Sequence, residues 1–227
     1  MRKHGKKFQD IRKKAPREAV TLEEAVAFLK ANPAARFDES MDMSFRMGVD
    51  PKRTEQVVRG TVRLPHGTGK TVRVAVFAAG AAADAAREAG ADFVGLEDLI
   101  ERVRGGWTDF DVAIATPEAM QEVRKLGRQL GPRGLMPNPR TGTVTDDTAE
   151  AVAQSKAGRV EFRMDRQGNV CVASGKLSFG AEALVENANA VIDALRAERP
   201  AAAKGQFIRS LTVSSTMGVG VRVIIKE

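Results

Sequence analysis

Residues 64–71, LPHGTGKT, decide how the fold is interpreted, because the last five match the end of a phosphate-binding P-loop. A P-loop requires G-x-x-x-x-G-K-[ST] after a strand, with a helix opening at the lysine. Counting back from Gly69 places Leu64 where the first glycine must stand. Residues 71–77, TVRVAVF, alternate polar and apolar side chains and predict a strand after Lys70. We therefore interpret the stretch as a flexible connector between two structural units, with an NTPase as the alternative.

Upstream of this connector, the residue pattern predicts one helix and two strands. Residues 21–24, TLEE, form a capping box and begin a helix that ends before Pro33. Residues 36–47 alternate apolar and polar side chains, as in a half-buried strand, although Glu39 falls on the apolar side. A second alternating strand covers residues 56–64. The upstream segment is therefore predicted to be an α+β unit of one helix and two strands.

Downstream of the connector, strands and helices alternate, which implies a parallel sheet with crossover helices. The dense Gly, Pro and cation content of residues 123–139, VRKLGRQLGPRGLMPNP, predicts a mostly irregular, exposed loop. Asp146 and Asp147 precede a helix at residues 148–156 and are interpreted as its N-terminal caps. Three strands are predicted in this segment, at residues 72–77, 92–94 and 111–115.

After Gly158 the antiparallel pattern of the upstream segment returns. Residues 160–164 alternate again, and apolar residues recur at helical spacing over residues 181–195. Two last strands are predicted at about residues 207–214 and 221–225. We infer an α/β domain inserted into a discontinuous one. The glycines at the two junctions, Gly67, Gly69 and Gly158, suit hinges.

Composition favours a polyanionic partner and gives no sign of a membrane protein. The chain has 227 residues, 43% of them apolar, and a formal net charge of +7. It has no apolar run of membrane-spanning length, and its N-terminus lacks the apolar segment of a signal peptide. Its single cysteine, Cys171, cannot form an internal disulfide, which fits the cytoplasm, and it is expected to be buried in a strand.

The first 17 residues hold eight cations against one acid, Asp10. Two interpretations stay open: a solvated basic tail, and an arm that lies on nucleic acid phosphates. The eight cations are Arg2, Lys3, Lys6, Lys7, Arg12, Lys13, Lys14 and Arg17.

No catalytic, metal or cofactor site is predicted. The histidines, His4 and His66, have no second His or Cys at metal-ligand spacing. The first strand-to-helix turn of the α/β segment, residues 78–81, lacks the glycines of a dinucleotide-binding loop. A basic chain without such groups is expected to bind rather than to catalyse.

Five motifs make the chain resemble the bacterial large-subunit ribosomal protein L-one family over nearly its whole length. They are residues 59–70 (RGTVRLPHGTGK), 127–139 (GRQLGPRGLMPNP), 156–159 (KAGR), 201–205 (AAAKG) and 214–218 (SSTMG). The resemblance implies an α/β fold class with two domains. An α+β discontinuous domain of split β-α-β character covers residues 1–67 and 159–227, and a Rossmann-like α/β domain covers residues 68–158.

The resemblance also implies a function in the cytoplasmic ribosome. It implies binding to large-subunit ribosomal RNA at the mobile stalk, help in releasing deacylated exit-site tRNA, and repression of the chain's own operon mRNA. It further implies a monomer outside the ribosome. An RNA-binding regulator that never enters ribosomes is the remaining alternative, beside the NTPase.

By motif, the resemblance places the RNA contacts on the discontinuous domain. Met217 and Phe37 can lie flat against sugars and bases, while Thr216 and serines can bond 2′-OH groups. Val219 stands where the family usually has proline, which leaves this loop more backbone freedom. The main predicted contacts are Arg36, Phe37, Ser40, Ser210, Ser214, Thr216, Met217 and Gly218. Further candidates for phosphate contact are Arg46, Arg53, Arg163, Arg166 and Lys176.

Overall fold

The structure is a computed structural model that describes residues 5–203 and 205–225. Arg2, Lys3 and His4, together with Lys204 of the motif at residues 201–205, lie outside the described residues. The helices are α1 (Lys6–Lys14), α2 (Leu22–Ala31), α3 (Ala81–Glu88), α4 (Glu97–Arg104), α5 (Met120–Val123), α6 (Gly127–Leu130), α7 (Thr148–Lys156) and α8 (Ala181–Ala197). The strands are β1 (Ser40–Met47), β2 (Arg59–Arg63), β3 (Val74–Phe77), β4 (Phe93–Gly95), β5 (Val112–Ala115), β6 (Arg159–Arg163), β7 (Asn169–Lys176), β8 (Ile208–Ser215) and β9 (Val221–Val223).

Mixed parallel and antiparallel sheets with helices confirm the predicted α/β fold class. The chain divides into two compact units. One comprises Met1–Gly69 and Val160–Glu227, and the other comprises Lys70–Arg159. Each unit has its own sheets and its own apolar core.

The first unit is built on an antiparallel sheet in the order β7-β1-β8-β9. Alternate residues of β1, among them Met41, Met43 and Phe45, are buried on one face, as period-two patterning requires. Helices α2 and α8 pack against this face with residues such as Leu29 and Leu184. A separate two-stranded sheet pairs β2 with β6. The sheet is therefore covered by helices on its apolar face.

Helix α2 begins where the capping box predicts. Thr21 Oγ1 accepts a hydrogen bond from the backbone N–H of Glu24 at 3.3 Å, and Glu24 Oε2 accepts one from Thr21 N at 3.0 Å. These two bonds satisfy N–H groups that the first helical turn leaves without backbone partners. Helix α7 likewise spans the predicted residues and is capped by Asp147, which accepts from Glu150 N at 3.0 Å.

The second unit holds a parallel sheet in the order β4-β3-β5. All four residues of the central strand β3 are buried, because helices lie on both faces of a parallel sheet. Val74 and Val76 contribute to one apolar cluster, and Ala75 and Phe77 contribute to the other. Lys70 and Thr71 precede β3 and not a helix, so the connector lacks the geometry of a P-loop.

Residues 123–139 differ from the predicted loop. Residues 123–130 form helical turns, and Val123, Leu126 and Leu130 are buried in the core of the second unit. The expectation of an irregular loop was wrong there because these apolar residues recur at helical spacing among the glycines and cations. The exposed, irregular part is limited mainly to residues 131–136, where only Leu135 and Met136 are half-buried.

The strand predicted at residues 36–47 begins later than expected, and one residue that was expected to be buried is exposed. Glu39 is only 1% exposed, and its carboxylate accepts hydrogen bonds from Ala34 N at 3.2 Å and Ala35 N at 3.0 Å. The strand predicted from residue 36 therefore begins only at Ser40. Cys171 is exposed, not buried, because Val170 and Val172 occupy the apolar face of β7.

The part of the chain that the structure describes contains no helix with the length and apolarity of a membrane span. Within the same residues, no three His, Cys, Asp or Glu side chains come together in a way that could hold a metal ion.

Candidate nucleic-acid interface

The face of the four-stranded sheet opposite α2 and α8 is polar. Because side chains alternate along a strand, the residues between Met41, Met43 and Phe45 point to this face. The strand register places Ser44 between Cys171 of β7 and Thr212 of β8. The surface presents many hydroxyl groups, which both donate and accept hydrogen bonds. We call it the polar sheet face, and its half-buried or exposed members are Ser40, Asp42, Ser44, Arg46, Asn169, Cys171, Ser210, Thr212, Ser214 and Arg222.

At one end of this face, Thr216 joins the end of β8 to the start of β1. Thr216 Oγ1 accepts a hydrogen bond from Ser40 N at 2.9 Å, and Thr216 N donates to Ser40 O at 3.1 Å. The hydroxyl thus extends the ladder between two strands by joining residues that are 176 positions apart in sequence. Its first role is to hold the next residues in place, and its remaining lone pair can still face a partner.

Met217 and Phe37 are the large apolar side chains beside this junction. Met217 is 60% exposed and Phe37 is 57% exposed, although burial of such side chains is favourable. Each of these side chains therefore leaves apolar surface in contact with water, and a partner could cover it. The structure brings both predicted contact residues to the same end of the sheet, next to Ser40 and Thr216.

The turn that carries Met217 is tight. Gly218 N donates to Ser215 O at 3.0 Å. A Cβ atom at Gly218 would collide with Ser215 Oγ, which is buried and lacks a hydrogen-bond partner among the described residues. Glycine is therefore needed here for space, which explains the small residues around Met217.

The segment that carries Phe37 is held at both of its ends. Glu39 anchors it through the two backbone bonds described above. Asp38 accepts hydrogen bonds from Ser178 N at 3.1 Å and Ser178 Oγ at 2.9 Å. Lys176 Nζ donates to Asp38 O at 3.1 Å, so this predicted phosphate contact also positions the Phe37 segment. Arg36 is exposed beside Phe37.

A second set of predicted residues lies at the opposite end of the sheet. Arg46 is opposite Asn169 and Ser210 in the strand register and is exposed. Since β1 advances about 3.3 Å per residue, Arg46 lies about 20 Å from Ser40. Arg53 is exposed nearby in sequence and forms an ion pair with Asp50 at 3.8 Å. Arg46 and Ser210 thus form a second group of predicted contacts on the polar sheet face, and Arg53 follows β1 along the chain.

Arg166 is exposed in the turn between β6 and β7, which is ordered by Asp165. Asp165 Oδ1 accepts hydrogen bonds from Gln167 N and Asn169 N, both at 2.8 Å. Hydrogen bonds from the Asn169 backbone hold the pKa of the Asp165 carboxyl below its ordinary value. This anionic cap fixes the position from which Arg166 projects.

The structure does not bring Arg163 onto the polar sheet face. Arg163 ends β6, which belongs to the two-stranded sheet with β2. Conversely, the predicted set lacked Asp42, Ser44 and Thr212, which lie between the two groups of predicted contacts. The period-two alternation of β1 and β8 was the signal that could have identified them.

The junction glycines all adopt positive φ angles, which glycine tolerates best. The angles are 67° at Gly67, 70° at Gly69 and 97° at Gly158. Gly67 is also fixed to α8, because Asn187 Nδ2 donates to Gly67 O at 3.1 Å and Asn187 Oδ1 accepts from His66 N at 3.0 Å. The first crossing is therefore anchored to the first unit up to residue 67.

Comparison with known proteins gives one consistent relationship. The model of the Ribosomal protein L1p/L10e family matches residues 29–219. Large ribosomal subunit protein uL1 of Cutibacterium acnes is 58% identical over 201 residues, which cover 88% of this chain and 87% of the relative. The uL1 protein of Azoarcus sp. is 56% identical over 98% of this chain and 97% of its own length. The uL1 protein of Chlamydia caviae is 51% identical over 100% of this chain and 98% of its own length.

Proposed function

The chain belongs to the Ribosomal protein L1p/L10e family, and from this membership we propose that it is a structural constituent of the large subunit of the cytoplasmic ribosome. Its relatives are ribosomal proteins and not enzymes, which confirms the expected absence of a catalytic role. In this proposal the polar sheet face and the Met217 turn bind large-subunit ribosomal RNA at the mobile stalk.

The observation that carries the RNA site is the pair of exposed apolar side chains, Met217 and Phe37, at a hydroxyl-rich sheet end. RNA differs from DNA by its 2′-OH groups and offers unstacked bases and sugars in loops. Met217 and Phe37 supply apolar contact with such bases and sugars. Hydroxyls of Ser40 and Ser214 supply partners for 2′-OH groups. A preorganised turn reduces the entropy lost on binding.

The second group, at the Arg46 end, serves phosphate contact in this proposal. Arg46 is an exposed cation opposite Ser210, while Arg53 and Arg166 are exposed in the segments that follow β1 and precede β7. Phosphate contacts set the position of RNA on a protein, while contacts to bases and sugars set specificity. RNA that spans both groups would cross Asp42, Ser44 and Thr212 between them. Arg163, on the other sheet, belongs to the site only if the RNA extends beyond this face.

We further propose the finer activities that the family resemblance implies. The chain, a monomer outside the ribosome, assists release of deacylated tRNA from the exit site. It also represses translation of its own operon mRNA. Use of one RNA site for both stalk RNA and messenger predicts that the two RNAs compete. The two units act as domains in this proposal, and the two chain crossings that contain Gly67, Gly69 and Gly158 act as a hinge between them.

Truncation of Met217 tests the RNA site. Met217→Ala should weaken binding of a stalk-region RNA fragment by about 1–3 kcal/mol, the scale of one stacking or recognition contact. Filter-binding titration against a range of salt concentrations measures this loss. Val57→Ala is the matched control, because Val57 is an exposed apolar residue outside the polar sheet face. Equal affinity of Met217→Ala and wild type would contradict this site.

Co-sedimentation with large subunits separates a ribosomal protein from an RNA-binding regulator that stays free. The protein should pellet stoichiometrically with large subunits that lack it, and a protein that remains in the supernatant would support the regulator. The NTPase alternative predicts ATP or GTP turnover that Lys70→Ala abolishes. The position of Lys70 before a strand argues against it.

A further inference from the structure

The N-terminal segment is attached to the free edge of the four-stranded sheet. Val20 pairs with Val223 of β9 in a parallel bridge. Val20 N donates to Arg222 O at 3.0 Å, and Ile224 N donates to Val20 O at 2.9 Å. These backbone bonds satisfy groups at an otherwise open sheet edge. They hold Val20 at this edge and so fix the place from which the preceding residues extend.

This attachment places α1 beside the turn that carries Met217. A groove is lined by residues of α1, among them Arg12 and Lys13, by Arg17, and by Val219 and Gly220. Ile11 of α1 is only 7% exposed, so one side of the helix is packed against the protein. The basic segment over residues 6–17 is thus a folded element and not a loose tail.

The cations of this segment are concentrated and open to solvent. Helix α1 has no acidic residue in its first turn, and its last turn contains Arg12, Lys13 and Lys14. The ion pair between Lys13 and Asp10 is long, at 3.7 Å, and both side chains are exposed, so salt or a phosphate can replace it. We call this surface the basic arm, and its exposed cations are Lys6, Lys7, Arg12, Lys13, Lys14 and Arg17.

The basic arm continues the polar sheet face at the β9 edge. Arg222 is exposed, belongs to the polar sheet face, and lies one residue from the partner of Val20. The basic arm, Arg222 and the Met217 turn therefore surround the same corner of the first unit. Strand-edge attachment is a backbone interaction, so it places these charges whether or not RNA is bound.

We propose that the basic arm is a second RNA-binding surface, which holds the sugar–phosphate backbone of the strand that leaves the Met217 turn. This inference rests on the proposed RNA site and adds a partner surface to it. Exposed cations beside a groove can neutralise phosphates, and phosphate contacts carry no sequence information. The basic arm thus adds affinity, and the polar sheet face provides discrimination among RNAs.

The test uses the full chain with three cations neutralised, as Arg12→Gln, Lys13→Gln and Arg17→Gln together. Each phosphate contact contributes about 0.7 to the slope of log affinity against log salt in single strands. The loss of three contacts should therefore reduce the magnitude of this slope by about 2. Affinity should fall by about the same factor for stalk RNA and for an unrelated RNA of equal length. The preference for stalk RNA is then retained.

A matched control removes the same charge elsewhere, as Arg102→Gln, Arg104→Gln and Arg124→Gln, three exposed cations of the second unit. The control should keep the salt slope of wild type. Equal salt slopes for wild type and both variants, or an equal loss of RNA affinity in both variants, would contradict the proposed role of the basic arm. Failure of wild type to prefer stalk RNA over unrelated RNA would instead overturn the proposed function, so the two failures are distinct.

A second variant tests the placement of the arm without changing its charge. Val20→Pro removes the N–H that bonds Arg222 O and should detach the arm from the sheet edge. Its affinity for stalk RNA at low salt should fall at least threefold while all cations remain. Full affinity in Val20→Pro, with circular dichroism showing a folded protein, would show that placement is irrelevant and overturn the proposal.

Discussion

Among single residues, the small ones that shape the turn matter to the candidate site as much as the ones proposed to contact RNA. Met217 projects because Gly218 closes the turn and Thr216 bonds both backbone groups of Ser40. The nearest obstacle to a larger residue at position 218 is one atom, Ser215 Oγ, which has no hydrogen-bond partner among the described residues. A defect caused by one atom can be repaired by removing that atom.

Gly218→Ala should therefore lower the free energy of unfolding by about 1–3 kcal/mol, the usual cost of overpacking. In the double variant with Ser215→Ala, the nearest atom to the added methyl group becomes the Cβ atom at position 215, at 3.4 Å, so most of the stability should return. Urea unfolding of the two single variants and the double variant measures this coupling. Additive losses would show that the two side chains do not collide.

At the scale of elements, the turn between β6 and β7 shows how one carboxylate organises a cationic surface. Asp165 accepts two backbone hydrogen bonds and one from Asn169 Nδ2 at 3.2 Å. These bonds favour the charged carboxylate and lower its pKa. A depressed pKa in the folded state means that the group stabilises the fold above its unfolded pKa, about 3.9, and ceases to do so as pH falls through its folded pKa.

Asp165→Asn should consequently reduce stability most at neutral pH, and its difference from wild type should shrink in acid. Thermal midpoints of both proteins, measured from about pH 6 down to about pH 3, give the comparison. Asp193→Asn is a suitable control, because Asp193 is an exposed carboxylate that forms a long ion pair with Arg196, at 3.5 Å. A difference from wild type that stays constant over this pH range would contradict the role assigned to the Asp165 charge.

At the scale of the whole molecule, two units are joined by two chain crossings with glycines at positive φ. Gly69 is closely packed, since a Cβ atom there would lie 2.9 Å from Lys176 Cγ and 3.0 Å from Phe179 Cζ. Both neighbours belong to the first unit. The second unit contains the chain's single tryptophan, Trp107, packed edge-on to Phe93 at 4.7 Å. Trp107 fluorescence therefore reports the second unit alone.

Gly69→Ala should lower the stability of the first unit by about 1–3 kcal/mol, from the left-handed backbone and the added contacts. Far-ultraviolet circular dichroism reports both units, so its urea transition should gain an earlier phase from the first unit, while the Trp107 transition should not move. Gly127→Ala, where the added methyl group meets nothing within 4 Å, is the control. An equal shift of both transitions in Gly69→Ala would show that the two units unfold as one.

Local patterns predicted the elements of both units well, because caps and periodicity act over a few residues. The Thr21 capping box and helix α7 are examples. The content of Gly, Pro and cations wrongly predicted an irregular loop at Leu126 and Leu130, where the helical spacing of the apolar residues was the better signal. The prediction that Cys171 is buried was wrong because it considered only that the residue lies in a strand, and not which face of the strand it occupies. The bonds between Ser40 and Thr216 join residues 176 apart, and no local pattern contains that pairing.

The exposed thiol of Cys171 has a practical consequence for labelling. It is the single cysteine of the chain, and its sulfur lies 3.5 Å from Ser44 Oγ in the middle of the polar sheet face. A maleimide dye added to the native protein would attach there and cover the surface proposed to receive RNA. Fluorescence studies of the two units should therefore start from Cys171→Ser, which replaces the thiol with a hydroxyl like those of its neighbours, with new cysteines introduced away from this sheet.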